Sequence, residues 1–593
     1  MTLPVVSQNK VIAPTLLAQC QTQYGNYADI VGHVLAQRNI DNLDEMQNSA
    51  KFLLHYQGLQ GMNAAVAVLC EAVMTQKRVV IIGDFDADGA TSTALCMLAF
   101  RAMGLPHIQY LVPNRFDFGY GLSPQIVDVA HAEMQAEVII TVDNGISCHA
   151  GVKHAKSLGM QVVVTDHHLP GTELPPADAI VNPNRNDCGF DSKNAAGVGV
   201  AFYVLSALRA ELQRQGWFSE SRPVPNLASF LDIVAIGTVA DVVKLDRNNR
   251  IFVHQGLQRI RQGVARPGVL ALFAVAGKKP QNVTATDLGF VIGPRLNAAG
   301  RLDDMSLGIE CLICDDPNQA RDIAYALDKK NVERRSIESD MREQAEASLA
   351  KVQLEGTDIP HGLVLFDPDF HQGVIGILAG RIKEQFYRPT IAFAQNDETE
   401  IKGSARSVAG VHIRDVLDEI NTESPGLITK FGGHAMAAGL SLKPECLADF
   451  SVAFDRKCQK HMAGLPTTAQ IFSDGALPEA YFSLDFAQLL QRLGPWGQGF
   501  QEPVFDNVMQ ILQQRIVGEK HLKLVFQVGS TVVDGIAFNV DLDTWPNPAI
   551  THAHVAFTVS INEFRGRQSV QCMVIDLSPD LPSQNNESLA LGA

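Results

Sequence analysis

The sequence predicts an α/β protein built as a parallel-sheet domain, a long linking helix, a second α/β domain and a C-terminal β-barrel. Three observations carry this. The runs Val79-Val80-Ile81-Ile82, Val138-Ile139-Ile140-Thr141-Val142 and Val162-Val163-Val164-Thr165 are short and β-branched. Each is followed by polar residues and a helix-like segment, the pattern of parallel strands covered on both faces. A charge-dense stretch follows with a thin apolar stripe, Ile323, Leu327, Ile337 and Met341, the pattern of a long helix between two bodies. From about residue 467 the apolar pattern turns to β, with strands expected over Val532 to Phe538, His554 to Ile561 and Val570 to Ile575.

At 593 residues the chain has room for three or four domains. The expected divisions are a helical lead-in over 1–50, the first α/β domain over 51–316, the linking helix over 317–358, the second α/β domain over 359–464, the barrel over 465–577 and a disordered tail over 578–593. Within the second domain, Leu363-Val364-Leu365-Phe366 reads as a strand and Gly373 to Arg381 as a turn entering a helix. The charges along the linking helix read as a solvated face. The Phe564-Arg565-Gly566-Arg567 stretch reads as a hairpin turn. The polar tail holds too little apolar surface to fold.

Hydrophobic residues make up 46% of the chain, enough for sizeable cores, and the net charge is −16. That balance argues against tight nonspecific coating of nucleic acid, because phosphate contacts need Lys and Arg. It leaves room for a local basic groove. Ten cysteines are scattered, and only Cys311 and Cys314 form a CxxC. A structural zinc site needs four ligands, so these two read as core residues on the apolar face of a helix. Unpaired, irregularly spaced cysteines suit a reducing cytoplasm. No secretory leader and no membrane span is expected, since no window approaches about 18 apolar residues.

The chemistry concentrates at strand ends. Asp84-Phe85-Asp86-Ala87-Asp88-Gly89 follows the Val79 run directly. On an extended segment its three carboxylates alternate to one side. Unpaired, they repel one another and take up protons, and divalent cations remove that cost. Gly89 is expected to let the backbone turn into a helix from about Ala90. Asp143-Asn144-Gly145 ends the second run and Asp166-His167-His168 the third. A lone Asp or His there would be structural; three neighbouring strand ends converging on acids and imidazoles form a site, where open parallel sheets bind ligands. Asp241 is a single carboxylate in an apolar segment, read alone as a cap, an ion-pair partner or a ligand. An oxygen-rich set with one or two imidazoles favours Mn²⁺ or Mg²⁺ over zinc. There are carboxylates enough for two ions, the arrangement that activates water against a phosphodiester.

These residues resemble the motifs of the DHH phosphoesterase superfamily, with Asp166-His167-His168 matching the motif that names it. The resemblance implies that Asp84, Asp86, Asp88, Asp143, His167 and Asp241 are metal ligands and that His168, with Asp166, faces the scissile phosphate. Over roughly residues 50–575 the chain is similar to the RecJ family within that superfamily. Pro113-Asn114-Arg115 through Tyr120-Gly121-Leu122 resembles its loop near the active site. Gly293-Pro294-Arg295-Leu296-Asn297-Ala298-Ala299-Gly300-Arg301 resembles a further signature, in which Arg295 and Arg301 are candidate phosphate clamps and Asn297 a candidate nucleic-acid contact; the alternative is a structural loop. Gly403-Ser404-Ala405-Arg406-Ser407 and Phe431-Gly432-Gly433-His434 resemble the substrate motifs of the DHH-associated domain. Gly-rich turns expose backbone N–H groups, and Arg406 and His434 add positive charge. The C-terminal β unit resembles an OB-fold, a common platform for single strands.

The resemblance implies a 5′ to 3′ exonuclease that cuts single-stranded DNA to mononucleotides in repair and recombination. It also implies a monomer in the cytoplasm, with single-strand-binding protein and a RecQ-type helicase as partners. Two other readings remain open at this point. One is another DHH phosphodiesterase, acting on short oligonucleotides, cyclic dinucleotides or pyrophosphate. The other is a non-catalytic replication factor on the same fold, which would be expected to have lost ligands.

Overall fold

Short runs of Val and Ile form the centre of a five-stranded parallel sheet. In the computed structural model, which describes residues 3–7, 10–113, 121–354 and 359–580, its strands lie in the order Ile108–Leu111, Val79–Ile82, Val138–Val142, Gln161–Thr165, Ala179–Val181. Alternation along each run supplies both faces. Val80, Ile82, Ile139, Val162 and Val164 pack with Ile126, Val127, Val152 and Ala155. These belong to the helices Pro124–Ala132 and His149–Ser157. The opposite face is covered by the helices Met62–Met74, Ala87–Ala102 and Gly197–Arg214. Every residue of the two central strands is buried, which is why neither shows a polar face in sequence.

The chain forms two compact units, Met1–Asn48 with Ala469–Ala593, and Ser49–Thr468. In the second unit the linking helix, Pro317–Leu354, is 38 residues long. Its buried positions are Ala320, Ala324, Leu327, Asn331, Arg334, Glu338, Met341 and Ala345. They recur at alternating steps of four and three, the spacing of one helix face. Three of them are polar, so the expectation of a solvated charge run needs correction here. Arg334 pairs with Glu338 at 2.6 Å and donates to Asn331, and Arg381 of the helix Ile375–Phe386 reaches Glu338 at 3.0 Å. These groups remain buried because each satisfies another. The second α/β domain carries a mixed sheet in the order Lys430–Gly433, Ala437–Leu442, Ile401–Arg406, Thr390–Gln395, Leu363–Phe366, with only the last pair parallel.

In the other unit, Phe505–Val517, His521–Val528, Thr531–Ala537, Arg567–Pro579 and His552–Phe564 close into a barrel, with Thr531–Ala537 and Arg567–Pro579 parallel. Arg565 and Gly566 both have positive φ, 50° and 78°, making the tight hairpin turn read from the sequence. Ser578 and Pro579 belong to the last strand rather than to a tail, and residues 581–593 of the expected tail lie outside the described residues. The N-terminal segment is helical but is no separate lead-in. Val5–Ser7 adds a parallel strand to Ile471–Ser473. Arg38 pairs with Asp474 at 2.8 Å, both side chains being buried, and the Tyr27 ring lies 5.5 Å from the rings of Tyr481 and Phe486.

That packing has a consequence for truncation. Deleting residues 469–593 alone strips the partners from the N-terminal strand and from the Tyr27 ring. A chain of residues 1–468 is therefore expected to aggregate or melt below a chain of residues 49–468. Gel filtration and thermal melts compare the two directly, and equal behaviour would contradict the pairing.

Candidate active site

The acidic motif takes a different local shape from the extended one expected. Asp86 is the N-cap of the helix Ala87–Ala102, accepting from the N–H groups of Asp88 and Gly89 at 3.0 Å. The helix therefore starts at Ala87, and Asp88 and Gly89 lie in its first turn. Gly89 is needed for approach rather than for a turn: a Cβ there would lie 2.5 Å from the Asp84 carbonyl oxygen. The helix Gly293–Leu302 holds the motif from outside. The Asn297 amide oxygen accepts from the Ala87 N–H at 2.7 Å, and Gly300 sits so close that a Cβ would meet the Phe85 carbonyl oxygen at 1.9 Å.

The neighbouring strand ends bring the rest. Asp143 follows Val142 with φ of 60°, a left-handed conformation that Asp tolerates better than most residues. Asn144 pins this corner by donating to the carbonyls of Ile82 and Val142. Asp241 caps the C-terminus of the helix Leu231–Ala240. His167 Nε2 lies 3.1 Å from Asp143 Oδ1, 3.5 Å from Asp241 Oδ2 and 4.0 Å from Asp88 Oδ2. Among the described residues three groups have ligand atoms within 4.8 Å of one another: Asp88, His167 and Asp241; Asp84, Asp86 and Asp143; and Asp143, His167 and His168, which joins the other two.

Electrostatics divides these groups into two kinds. Burial, then the charge of Asp86, pushes the Asp88 carboxyl up to about 7 despite the N–H groups of Val198 and Gly197. Burial and the surrounding carboxylates hold Asp143 and Asp241 well above the usual carboxylate range. Burial and the neighbouring His168 bring the His167 imidazole down to about 4, so it is neutral with a lone pair to offer. Its Nε2 and Asp241 Oδ2 are buried atoms without a hydrogen bond. Asp166 behaves oppositely. Burial alone would raise it, but the hydrogen bond and charge of His168 outweigh that and lower it. The same pair, 2.8 Å apart, raises His168 to about 9 against the effect of its burial. Crowded, desolvated carboxylates beside a neutral imidazole suit divalent cations; Asp166 and His168 already satisfy each other.

Asp166 and His168 line a cleft of about 830 Å³ whose other wall includes Lys402, Arg414, Lys430, Gly432, Gly433 and His434. The three basic residues among these were not singled out from sequence. Strand alternation could have found Lys402, two residues before Ser404 on the same face. Arg406 Nη1 donates to Ser404 Oγ at 3.1 Å and to the Ala405 carbonyl, and the guanidinium lies 3.0 Å from where a Cβ on Gly376 would stand. His434 is exposed, and its N–H donates to the Ala437 carbonyl.

Arg295 and Arg301 sit on a helix rather than a loop, and their described contacts are to the protein. Arg295 pairs with Asp328 of the linking helix at 2.8 Å, and Arg301 donates to the Gly373 carbonyl at 3.1 Å. Asn297 likewise holds the acidic motif. Arg115 lies outside the described residues. Cys311 is buried on the helix Ser306–Ile313, and all ten cysteines are free thiols.

Comparison with known proteins agrees with this layout. Residues 78–238 match the DHH family, N-terminal domain, residues 360–460 the DHHA1 domain, and residues 473–576 the RecJ OB domain. The single-stranded-DNA-specific exonuclease RecJ of Escherichia coli is 50% identical over 553 residues, covering 93% of this chain and 96% of the relative. The chain belongs to the RecJ family. The RecJ of Bacillus subtilis is 30% identical over 94% of this chain and 68% of its own length. The crystal structure of RecJ from Thermus thermophilus in complex with Mn²⁺ superposes with a TM-score of 0.77 at 28% identity, covering 97% of this chain and 79% of that one. A second structure of that RecJ was determined with Mg²⁺.

Raised carboxyl pKa values fix the sign of a stability effect. Asp88, Asp143 and Asp241 favour the fold when protonated, and that contribution fades as pH rises through the folded value, about 7 for Asp88. A cation replaces the missing protons. Melting-temperature gains from Mn²⁺ are expected to be larger at about pH 8 than at about pH 6, and at 100 times Kd the stabilisation is about 2.7 kcal/mol. Asp143→Asn should melt above wild type without metal at the higher pH and gain far less from Mn²⁺. An equal gain in both proteins would remove Asp143 from the site.

Proposed function

We propose that this chain is a Mn²⁺- or Mg²⁺-dependent exonuclease that degrades single-stranded DNA from its 5′ end to 5′-mononucleotides. The observation that supports it most is the set of three ligand groups joined through His167 and Asp143, next to a cleft with a basic far wall. Asp84, Asp86, Asp88, Asp143, His167 and Asp241 would hold two ions. Bound there, divalent cations supply charge for the attacking and leaving oxygens of a phosphodiester.

The chain's own groups do the rest. Asp166 fixes His168 through Nδ1 and keeps it protonated, so the imidazolium can donate to a phosphate oxygen and stabilise the developing charge. Lys402, Arg414 and Lys430 draw the strand into the cleft. A cleft of about 830 Å³ is of small-ligand size, so it takes the end of a single strand; a duplex would have to unpair first, at about 1.4 kcal/mol per step. Arg406, Ser404 and His434 would hold the terminal 5′ phosphate, whose charge exceeds that of an internal diester. Asn297, Arg295 and Arg301 act by keeping the acidic motif and its helix in place. The barrel's role is grip on the strand rather than chemistry. The setting would be cytoplasmic DNA repair and recombination, as a monomer working with single-strand-binding protein and a RecQ-type helicase. No described helix is long and apolar enough to cross a membrane.

Matched oligonucleotides that differ only at the 5′ end test polarity. The 5′-phosphorylated strand should be digested faster than the 5′-hydroxyl strand, and Arg406→Ala should shrink that difference. Degradation from the 3′ end would overturn the polarity, and efficient cutting of blunt duplex would overturn the strand preference. His168→Ala should lose turnover by about 100-fold or more while retaining the Mn²⁺-induced melting shift; loss of both together would make it a ligand instead.

A further inference from the structure

Phe290 is 80% exposed, although its turn packs against the largely buried helix Leu231–Ala240. It sits in the middle of a single π-helical turn, Leu288–Ile292, whose ends Leu288 and Ile292 are fully buried. The two ends anchor the turn, and the residue between them points the other way. π-turns are rare and recur at functional sites. This one is pressed against the helix that ends in Asp241. A Cβ on Gly289 would stand 3.3 Å from Val239 Cγ1, and one on Gly293 would stand 3.3 Å from Ala240 Cβ.

The residue after Asp241 is also out of the ordinary. Val242 has φ of 62° and is 64% exposed. A β-branched residue in the left-handed region is strained, and such strain persists where the surroundings impose it. Two large apolar side chains are thus held in water on packed segments that meet at Val239 and Ala240, one of them next to a candidate ligand. Burial in the core accounts for neither.

We propose that Phe290, with Val242 on the adjoining segment, is a stacking platform for a nucleobase of the DNA strand on the polymer side of the scissile phosphate. The inference rests on the single-strand exonuclease reading. The cleft that would take the terminal nucleotide is lined by Asp166 and His168, and Asp241 groups with Asp88 and His167 among the candidate ligands. A strand whose end fills the cleft continues past these ligands, and the exposed Val242 and Phe290 lie on their Asp241 side. An aromatic face suits this place because every base has a π-face, so stacking tolerates any sequence. An enzyme that digests one nucleotide after another needs such a contact, since each base in turn must occupy the same position.

The test uses the full-length protein and 5′-phosphorylated single strands carrying one abasic nucleotide at successive positions from the 5′ end. In wild type, KM should rise about tenfold when the abasic nucleotide reaches the platform. Phe290→Ala should raise KM on the intact strand by a similar factor and flatten the abasic profile. Phe290→Trp should restore both, and Val242→Gly should weaken binding without lowering the melting temperature. Unchanged KM in Phe290→Ala, an abasic profile that survives in it, or Trp behaving as Ala would overturn the proposal. Fluorescent-oligonucleotide binding in EDTA is run alongside. If wild type fails to digest DNA, the exonuclease reading fails; the binding difference between wild type and Phe290→Ala still decides the platform.

Discussion

The structure depends on a cost that the fold does not offset by itself: several carboxylates brought out of water onto the ends of neighbouring strands. Asp88 and Asp143 are almost wholly buried, and Asp241 is only partly exposed. Burial first, and then their mutual repulsion, raise all three carboxyls above the usual range, Asp88 to about 7. Such an arrangement persists because it is completed from outside, by cations. Much of the surrounding architecture keeps the carboxylates from relaxing apart. Asp86 is tied to its helix N-terminus, Asp88 to the N–H groups of Gly197 and Val198, and Asp143 to a left-handed corner.

The same constraint explains the close packing around the motif. The helix Gly293–Leu302 leaves no room for a side chain at Gly300, and its Asn297 takes the one N–H that the Asp86 cap leaves at Ala87. Its Arg295 ties it in turn to the linking helix at Asp328. Further along that helix, Arg334 and Glu338 connect to Arg381 beneath the second sheet. Separate polar contacts spaced along two helices thus link the acidic motif to the domain that carries Arg406 and His434. Rigid links of this kind hold groups on two domains at a fixed separation.

Much of this was legible in the sequence because the signals were local. The Val and Ile runs marked the strands, and acids or imidazoles at their ends marked the site. The extended reading of Asp84 to Asp88 missed the helix start because Asp86 serves both as a cap and as part of a cluster, and a cap at that position is visible only once the helix is placed. The buried pair Arg334 and Glu338 was hidden by its charge: composition alone assigns such residues to solvent, and only the spacing of the stripe puts them inside. Val5–Ser7 could not be placed from sequence, since its partner Ile471–Ser473 lies more than 460 residues away. Lys402 and Lys430 come together through the sheet register, both opposite Ser441, and Arg414 joins them from the helix Ile413–Glu423.

The central claim is that these crowded carboxylates and His167 form the metal centre. The most direct measurement is diffraction from crystals of the protein grown with Mn²⁺, recorded at the manganese absorption edge. The account expects two anomalous peaks, one among Asp88, His167 and Asp241 and one among Asp84, Asp86 and Asp143. Peaks only at exposed acidic groups elsewhere, or at Asp166 and His168 alone, would contradict it.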